Sequence, residues 1–288
     1  MKILVTGANG QLGWELQRAK PDKCELTALD RSQLDITDLD LVTHSINSLK
    51  PDWVINAAAY TAVDKAESDS EGAYAINAQG AANLATATHA IGARLLHVST
   101  DFIFDGNHHR PYLPDAAPNP LGVYGASKLT GEQKIHEILG KDTLILRTAW
   151  VYSSHGNNFV KTMLRLMNER DALGVVEDQI GTPSWAAEIA KVIYLSIEHT
   201  LRGVYHWTDT GAASWYDFSV AIYELGKEIG LLNNPVLINP ISTEDYPTPV
   251  VRPPYSVLNK DSLRAAIGYT GQHWRDALRQ MLMELKNG

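Results

Sequence analysis

The chain has 288 residues, 44% hydrophobic and 20% charged, with 21 glycines spread along it. That leaves room for one large domain or two modest ones and excludes collagen-like, mucin-like and disordered classes. A single cysteine, Cys24, excludes a disulfide framework or a thiolate metal cluster. The net charge of −8, from 25 basic and 33 acidic residues with no two Lys or Arg adjacent, argues against a nucleic-acid surface but permits small anionic ligands.

From the N-terminus, the apolar run Ile3 to Thr6 is too short for a signal-peptide core, so a reducing cytoplasm is the expected location. Runs at 3–6, 25–29, 53–56, 95–99 and 144–147 read as strands, and most of the segments between them are long enough for helical crossovers. These runs alternate little, as strands covered on both faces require. The fold class is therefore α/β, a Rossmann-type doubly wound parallel sheet. The uncharged stretch 72–93 carries Asn77, Gln79, Asn83 and His89, which points to a packed helix and not a membrane span. After about residue 150 the rhythm changes. Turn-rich segments at 174–185 and 232–254 separate helical patterns near 186–198, 214–229 and 273–286. The expected division is a dinucleotide-binding domain over 1–150, to which later segments are free to return, and a smaller, mainly substrate-binding domain over 151–288.

Directly after the first strand stands Gly7-Ala-Asn-Gly10-Gln-Leu-Gly13, followed by a helical pattern. Glycines there serve a tight turn, close approach of backbone to a pyrophosphate, and helix packing, with the helix N-terminus facing the phosphates. Asp30 ends the second strand, where a carboxylate accepts hydrogen bonds from ribose hydroxyls. Arg31 follows and suits a 2′-phosphate, which leaves NADH and NADPH both open. In Asp35-Ile-Thr-Asp38, Asp35 is placed near the adenine, while Asp38 reads equally as a helix cap.

Tyr124 and Lys128 fall on one face of a helix at i and i+4. Reduction of a ketone develops negative charge on oxygen, and a phenol made easier to ionise by a neighbouring ammonium can protonate it. The same spacing recurs at Tyr223 and Lys227, so the pattern alone decides nothing. Tyr124 is preferred because it follows Ser99-Thr100-Asp101 at the end of the fourth strand, where open α/β sheets place their ligands. Thr100 is placed to bond the same substrate oxygen and Asp101 to reach a sugar hydroxyl. No His-Glu-x-x-His and no Gly-x-Ser-x-Gly occurs, which disfavours metal and serine-hydrolase chemistry.

These residues resemble the extended short-chain dehydrogenase/reductase superfamily. The run Asn56 to Glu67, Ser99-Thr-Asp101, Arg147 to Tyr152, Asn157 to Phe159, Asp178 to Pro183 and Arg252 to Ser256 narrow the resemblance to the dTDP-4-dehydrorhamnose reductase family. The resemblance implies NADPH as cofactor, with NADH also accepted, and a dTDP-sugar substrate. It places Gly10, Gln11 and Leu12 on the cofactor phosphates, Asp30, Asp35 and Ile36 at the adenosine, and Ala59, Tyr60 and Thr61 along the nicotinamide. Thr100, Tyr124 and Lys128 become the catalytic set, Asp101 and Trp150 contacts of the sugar, and Arg252 a holder of the nucleotide part. Two departures stand out. The closing motif is Arg-Pro-Pro-Tyr-Ser where a small residue and then Asn precede the Ser in the family. An intersubunit Mg²⁺ held in some members through Glu15 and later carboxylates would find only Glu188 within 184–191, so no metal is assigned. A homodimer is the default assembly. The rival readings are a nucleotide-sugar epimerase or dehydratase of the same scaffold and a non-catalytic NADP-binding regulatory subunit.

Overall fold

The computed structural model describes residues 1–288. Six strands form one parallel sheet: β1 (Lys2–Thr6), β2 (Glu25–Leu29), β3 (Trp53–Asn56), β4 (Arg94–Thr100), β5 (Leu144–Thr148) and β6 (Gly203–His206), in the order β6-β5-β4-β3-β1-β2. All four residues of β3 and all five of β5 are buried, which is why neither strand alternates apolar with polar side chains, and their buried Asn56 and Arg147 find partners in Thr6 and Glu132. The chain reverses its direction of growth between β1 and β3, and open α/β sheets bind ligands at such a switch point.

Helices cover both faces. On one side α1 (Gln11–Arg18) packs with α6 (Ala186–Glu198) over a core that includes Ile3, Val5, Leu16, Ile189 and Ile193. On the other side α2 (Leu39–Leu49), α3 (Ala81–Ile91) and α4 (Val123–Leu139) bury Leu4, Val54, Leu84 and Ile135. Asp38 caps α2, accepting from the Leu41 N–H at 3.0 Å. The uncharged stretch is helical but not uniform. A π-helical turn at Ala75–Gly80 precedes α3, and there the Asn77 side chain bonds both backbone groups of Tyr60 and the Ser127 hydroxyl. Asn77 thus ties the segment after β3 to α4.

A separate core, with Val160, Phe218, Ile222, Leu278 and Met281, joins α5 (Phe159–Glu169), α7 (Trp215–Ile229) and α8 (Trp274–Asn287). A parallel strand pair, Ala172–Val176 with Leu237–Ile241, lies beside it. Both α6 and β6 come from the second half of the chain yet pack into the six-stranded unit. No helix is long and apolar enough to cross a membrane.

Candidate active site

The turn after β1 is shaped by its glycines. Gly7 has φ +74, and a Cβ there would lie 2.8 Å from the Ala58 backbone, so only glycine lets the segments after β1 and β3 touch. A Cβ on Gly13 would run into the Gly7 carbonyl, so its absence lets α1 seat against the turn. Gly10 caps α1 with no side-chain hydrogen bond, and the first turn of α1 carries no acidic residue. Its leading N–H groups are therefore free to hold an anion. This cradle fits a dinucleotide pyrophosphate.

Two adjoining cavities open from this turn. One, of about 460 Å³, is lined by Gly7, Gly10, Asp30, Arg31, Asp35 and Ile36. Asp30 is already engaged, accepting from Asn9, from the Ser32 hydroxyl and from the Ser32 and Gln33 N–H groups. Exposed Arg31 lies 3.5 Å from Asp35. The other, of about 520 Å³, gathers Gln11, Leu12, Ala59, Thr61, Thr100, Asp101, Tyr124, Lys128, Trp150 and Arg252 from segments far apart in sequence. Tyr60 and Gly13 line neither cavity: the Tyr60 hydroxyl donates to Asp69 at 3.0 Å, and Gly13 serves packing. The second Tyr/Lys pair is packing too. The Tyr223 ring lies against the third core, with Lys227 Nζ 5.6 Å from its centroid.

Thr100 ends β4, and its hydroxyl donates to Asp101 at 3.2 Å. Burial pushes the Asp101 carboxyl up to about 6, the Ser256 and Thr100 hydroxyls opposing the rise. Burial likewise pushes the Tyr124 phenol up to about 12, with the Thr100 hydroxyl opposing and Asp101 adding to the rise. Lys128, expected to ease ionisation of Tyr124, does not bond the phenol directly. The lysine Nζ donates instead to the Val98 carbonyl at 2.7 Å and lies 3.2 Å from His97 Nε2, while burial draws its own pKa down to about 8.

Burial of Asp101 has a consequence for stability. Its folded pKa lies above the unfolded value of 3.8, so the folded state binds the proton more tightly and stability falls as pH rises from about 4 to about 6. Above that range the penalty is complete. Asp101→Asn is expected to raise Tm at pH 8 and to leave it nearly unchanged at pH 4, as checked by calorimetry at the two pH values. An equal change at both would show that the carboxylate is not desolvated.

Several site residues had no local signal. Trp215 at the start of α7 stacks on Trp150, with ring centroids 3.5 Å apart and planes 6° apart. Trp150 itself takes φ +46, and its ring lies where a side chain on Gly181 would be. With Phe159 and Arg252, Trp215 forms the wall shared with a third cavity of about 540 Å³ that also includes Gln179 and Val175. Arg252 bonds Asp64 at 2.9 Å, and its buried Nε has no partner.

Within the chain, the carboxylates associated with a metal by resemblance have other partners. Arg18 lies 2.7 Å from both Glu15 and Glu284, and buried Glu15 also accepts from Ser153. Glu188 accepts from the Tyr269 hydroxyl. A guanidinium therefore supplies the positive charge beside Glu15, and no group of three His, Cys, Asp or Glu side chains is arranged to hold an ion.

Comparison with known proteins matches residues 1–287 to the family described as the RmlD substrate binding domain. A dTDP-4-dehydrorhamnose reductase of Aggregatibacter actinomycetemcomitans is 43% identical, over 97% of this chain and 98% of its own. The crystal structure of a dTDP-4-dehydrorhamnose reductase from Clostridium acetobutylicum superposes with a TM-score of 0.93 at 41% identity, covering 99% of this chain and 100% of its own. One from Bacillus anthracis, solved in complex with NADP, gives 0.93 at 38% identity and covers 98% and 99%.

Proposed function

Since the chain belongs to the dTDP-4-dehydrorhamnose reductase family of extended short-chain dehydrogenases/reductases, we infer that it reduces dTDP-4-dehydro-β-L-rhamnose to dTDP-L-rhamnose with NADPH. The observation that carries this reading is the convergence of Thr100, Tyr124 and Lys128 on the cavity into which the glycine turn opens. NADPH, when bound, supplies the hydride. The leading α1 N–H groups would hold its pyrophosphate, with Gly10 allowing close approach of the backbone, and Lys128 would hold the nicotinamide ribose. Tyr124 delivers the proton to the substrate oxygen as negative charge develops there, while the Thr100 hydroxyl donates to the same atom. A phenol at about 12 stays protonated until that charge forms. Trp150 gives the deoxysugar a flat apolar wall, and Asp101 accepts from a sugar hydroxyl.

Arg252 stands at the junction of the second and third cavities, which suits a diphosphate joining a sugar to a nucleoside. Arg252→Ala is expected to raise KM for the dTDP-sugar by about 1.5–3 kcal/mol with cofactor affinity kept. Unchanged KM would remove Arg252 from the site. For the cofactor, Asp30 beside Arg31 favours use of both NADH and NADPH, NADPH being preferred. Asp30→Ala is expected to raise the ratio of kcat/KM for NADPH over NADH, and a fall would mean that Asp30 does not face the ribose.

The deciding experiment incubates the protein with NADPH and a dTDP-4-keto-6-deoxysugar, with and without a 3,5-epimerase, and identifies the product by NMR. No reduced sugar in either arm would overturn the reading. Sugar turnover without NADPH consumption would favour the epimerase or dehydratase alternative.

A further inference from the structure

A buried chain of hydrogen bonds runs across three neighbouring strands to the lysine of the site. Thr6 at the end of β1 donates its hydroxyl to Asn56 Oδ1 at 2.8 Å, and the Ala58 N–H donates to the same oxygen at 3.2 Å. A backbone N–H can only donate, so this contact fixes which end of the Asn56 amide is oxygen. The Asn56 Nδ2 group then faces His97 Nδ1 at 2.9 Å. An amide NH₂ can only donate, so Nδ1 is the acceptor and a neutral His97 carries its hydrogen on Nε2. That nitrogen lies 3.2 Å from Lys128 Nζ. Thr6, Asn56, His97 and Lys128 are all at most 2% exposed, so water does not screen the contact.

An ammonium at Lys128 would turn one N–H toward the Val98 carbonyl and would leave its positive charge against the His97 N–H. A neutral amine satisfies both neighbours, donating to Val98 O and accepting from His97 Nε2–H through its lone pair. We propose that His97, oriented by Asn56, is a positioning residue that disfavours the ammonium form of Lys128. The surroundings are consistent with this. Burial together with Lys128 keeps His97 neutral, far below the usual histidine pKa. On α4, Glu132 favours the ammonium but is engaged by Arg147 of β5 at 2.7 Å, and Tyr124 stands one turn away. Asp101, beyond the end of β4, acts on Tyr124. Lys128 can thereby gain and lose a proton closer to neutral pH than an exposed lysine.

The kinetic part of the test rests on the reductase reading, whereas the tautomer can be read on the free protein whatever it catalyses. In ¹⁵N NMR of the full chain labelled at histidine, the His97 signal is the one lost in His97→Gln. It is expected to show a protonated Nε2 and a bare Nδ1; a protonated Nδ1 overturns the proposal. In His97→Gln the amide carbonyl can accept from the ammonium, so the high-pH limb of kcat/KM is expected to move up by about one unit. A limb that moves down, or stays in place while kcat falls, reduces His97 to a structural filler and overturns the proposal. Should His97→Gln fail to fold, Asn56→Asp serves. Its carboxylate accepts from Nδ1–H, which turns Nε2 into an acceptor, and the same upward shift is expected, with no shift or a downward one counting against the proposal.

Discussion

Tyr124→Phe is expected to lower kcat by about 10²–10⁴-fold while leaving the Kd for NADPH near that of the unmodified chain. The ring is half-buried and meets Phe102 edge to face, with centroids 5.5 Å apart, so phenylalanine keeps the packing and removes only the hydroxyl. No other neutral acid is assigned to the substrate oxygen, since the Thr100 hydroxyl donates without giving up its proton. Stopped-flow oxidation of NADPH separates the chemical step from binding, and fluorescence titration of NADPH supplies Kd. Tyr223→Phe is the control, because that ring belongs to the core between α5, α7 and α8 and both constants should hold. Near-normal turnover in Tyr124→Phe would remove Tyr124 as the acid and leave Asp101 or water as the proton source.

Lys128→Met is expected to lower kcat by at least about 10²-fold and to weaken NADPH by about 1.5–3 kcal/mol, the worth of hydrogen bonds to a charged group. Methionine is preferred to alanine because Lys128 is 2% exposed, and a truncated side chain would leave a cavity whose collapse could mimic a catalytic loss. The two losses have separate causes. Removal of the cation takes away electrostatic support for the phenolate left on Tyr124, and removal of the donor takes away a ribose contact. The same stopped-flow and titration pair reads both. A Lys128→Met protein with full NADPH affinity would show that the lysine does not touch the cofactor.

The Arg252→Ala variant differs in kind, since its charge lies away from the reacting carbon and its effect should fall on KM alone. Wild-type KM with reduced kcat would move Arg252 from substrate binding to organising the sugar cavity through its ion pair with Asp64.

What could be read without coordinates was whatever the chain states locally. Strands β1 to β5 fall at the runs 3–6, 25–29, 53–56, 95–99 and 144–147, which alternate little because the inner strands are covered on both faces. The glycine turn and the i, i+4 pairing of Tyr124 with Lys128 are likewise set by spacing within a few residues. Tertiary structure decided the rest. Of two Tyr/Lys pairs of equal spacing, the order of strands along the chain favoured Tyr124, and the folded structure sets one pair in a cavity beside Thr100 and packs the other in a core. Helix α6 and strand β6 return to the large sheet because its outer strand and the face beside α1 offer partners that no neighbouring residue announces. Trp215 meets Trp150 across 65 positions, His97 meets Lys128 across 31, and Arg18 reaches Glu284 across 266. Hydrophobic period and turn chemistry act over one or two turns of chain, whereas burial and charge pairing act through space, so only the folded structure could set which acids and bases share a low-dielectric pocket and how far their proton affinities move.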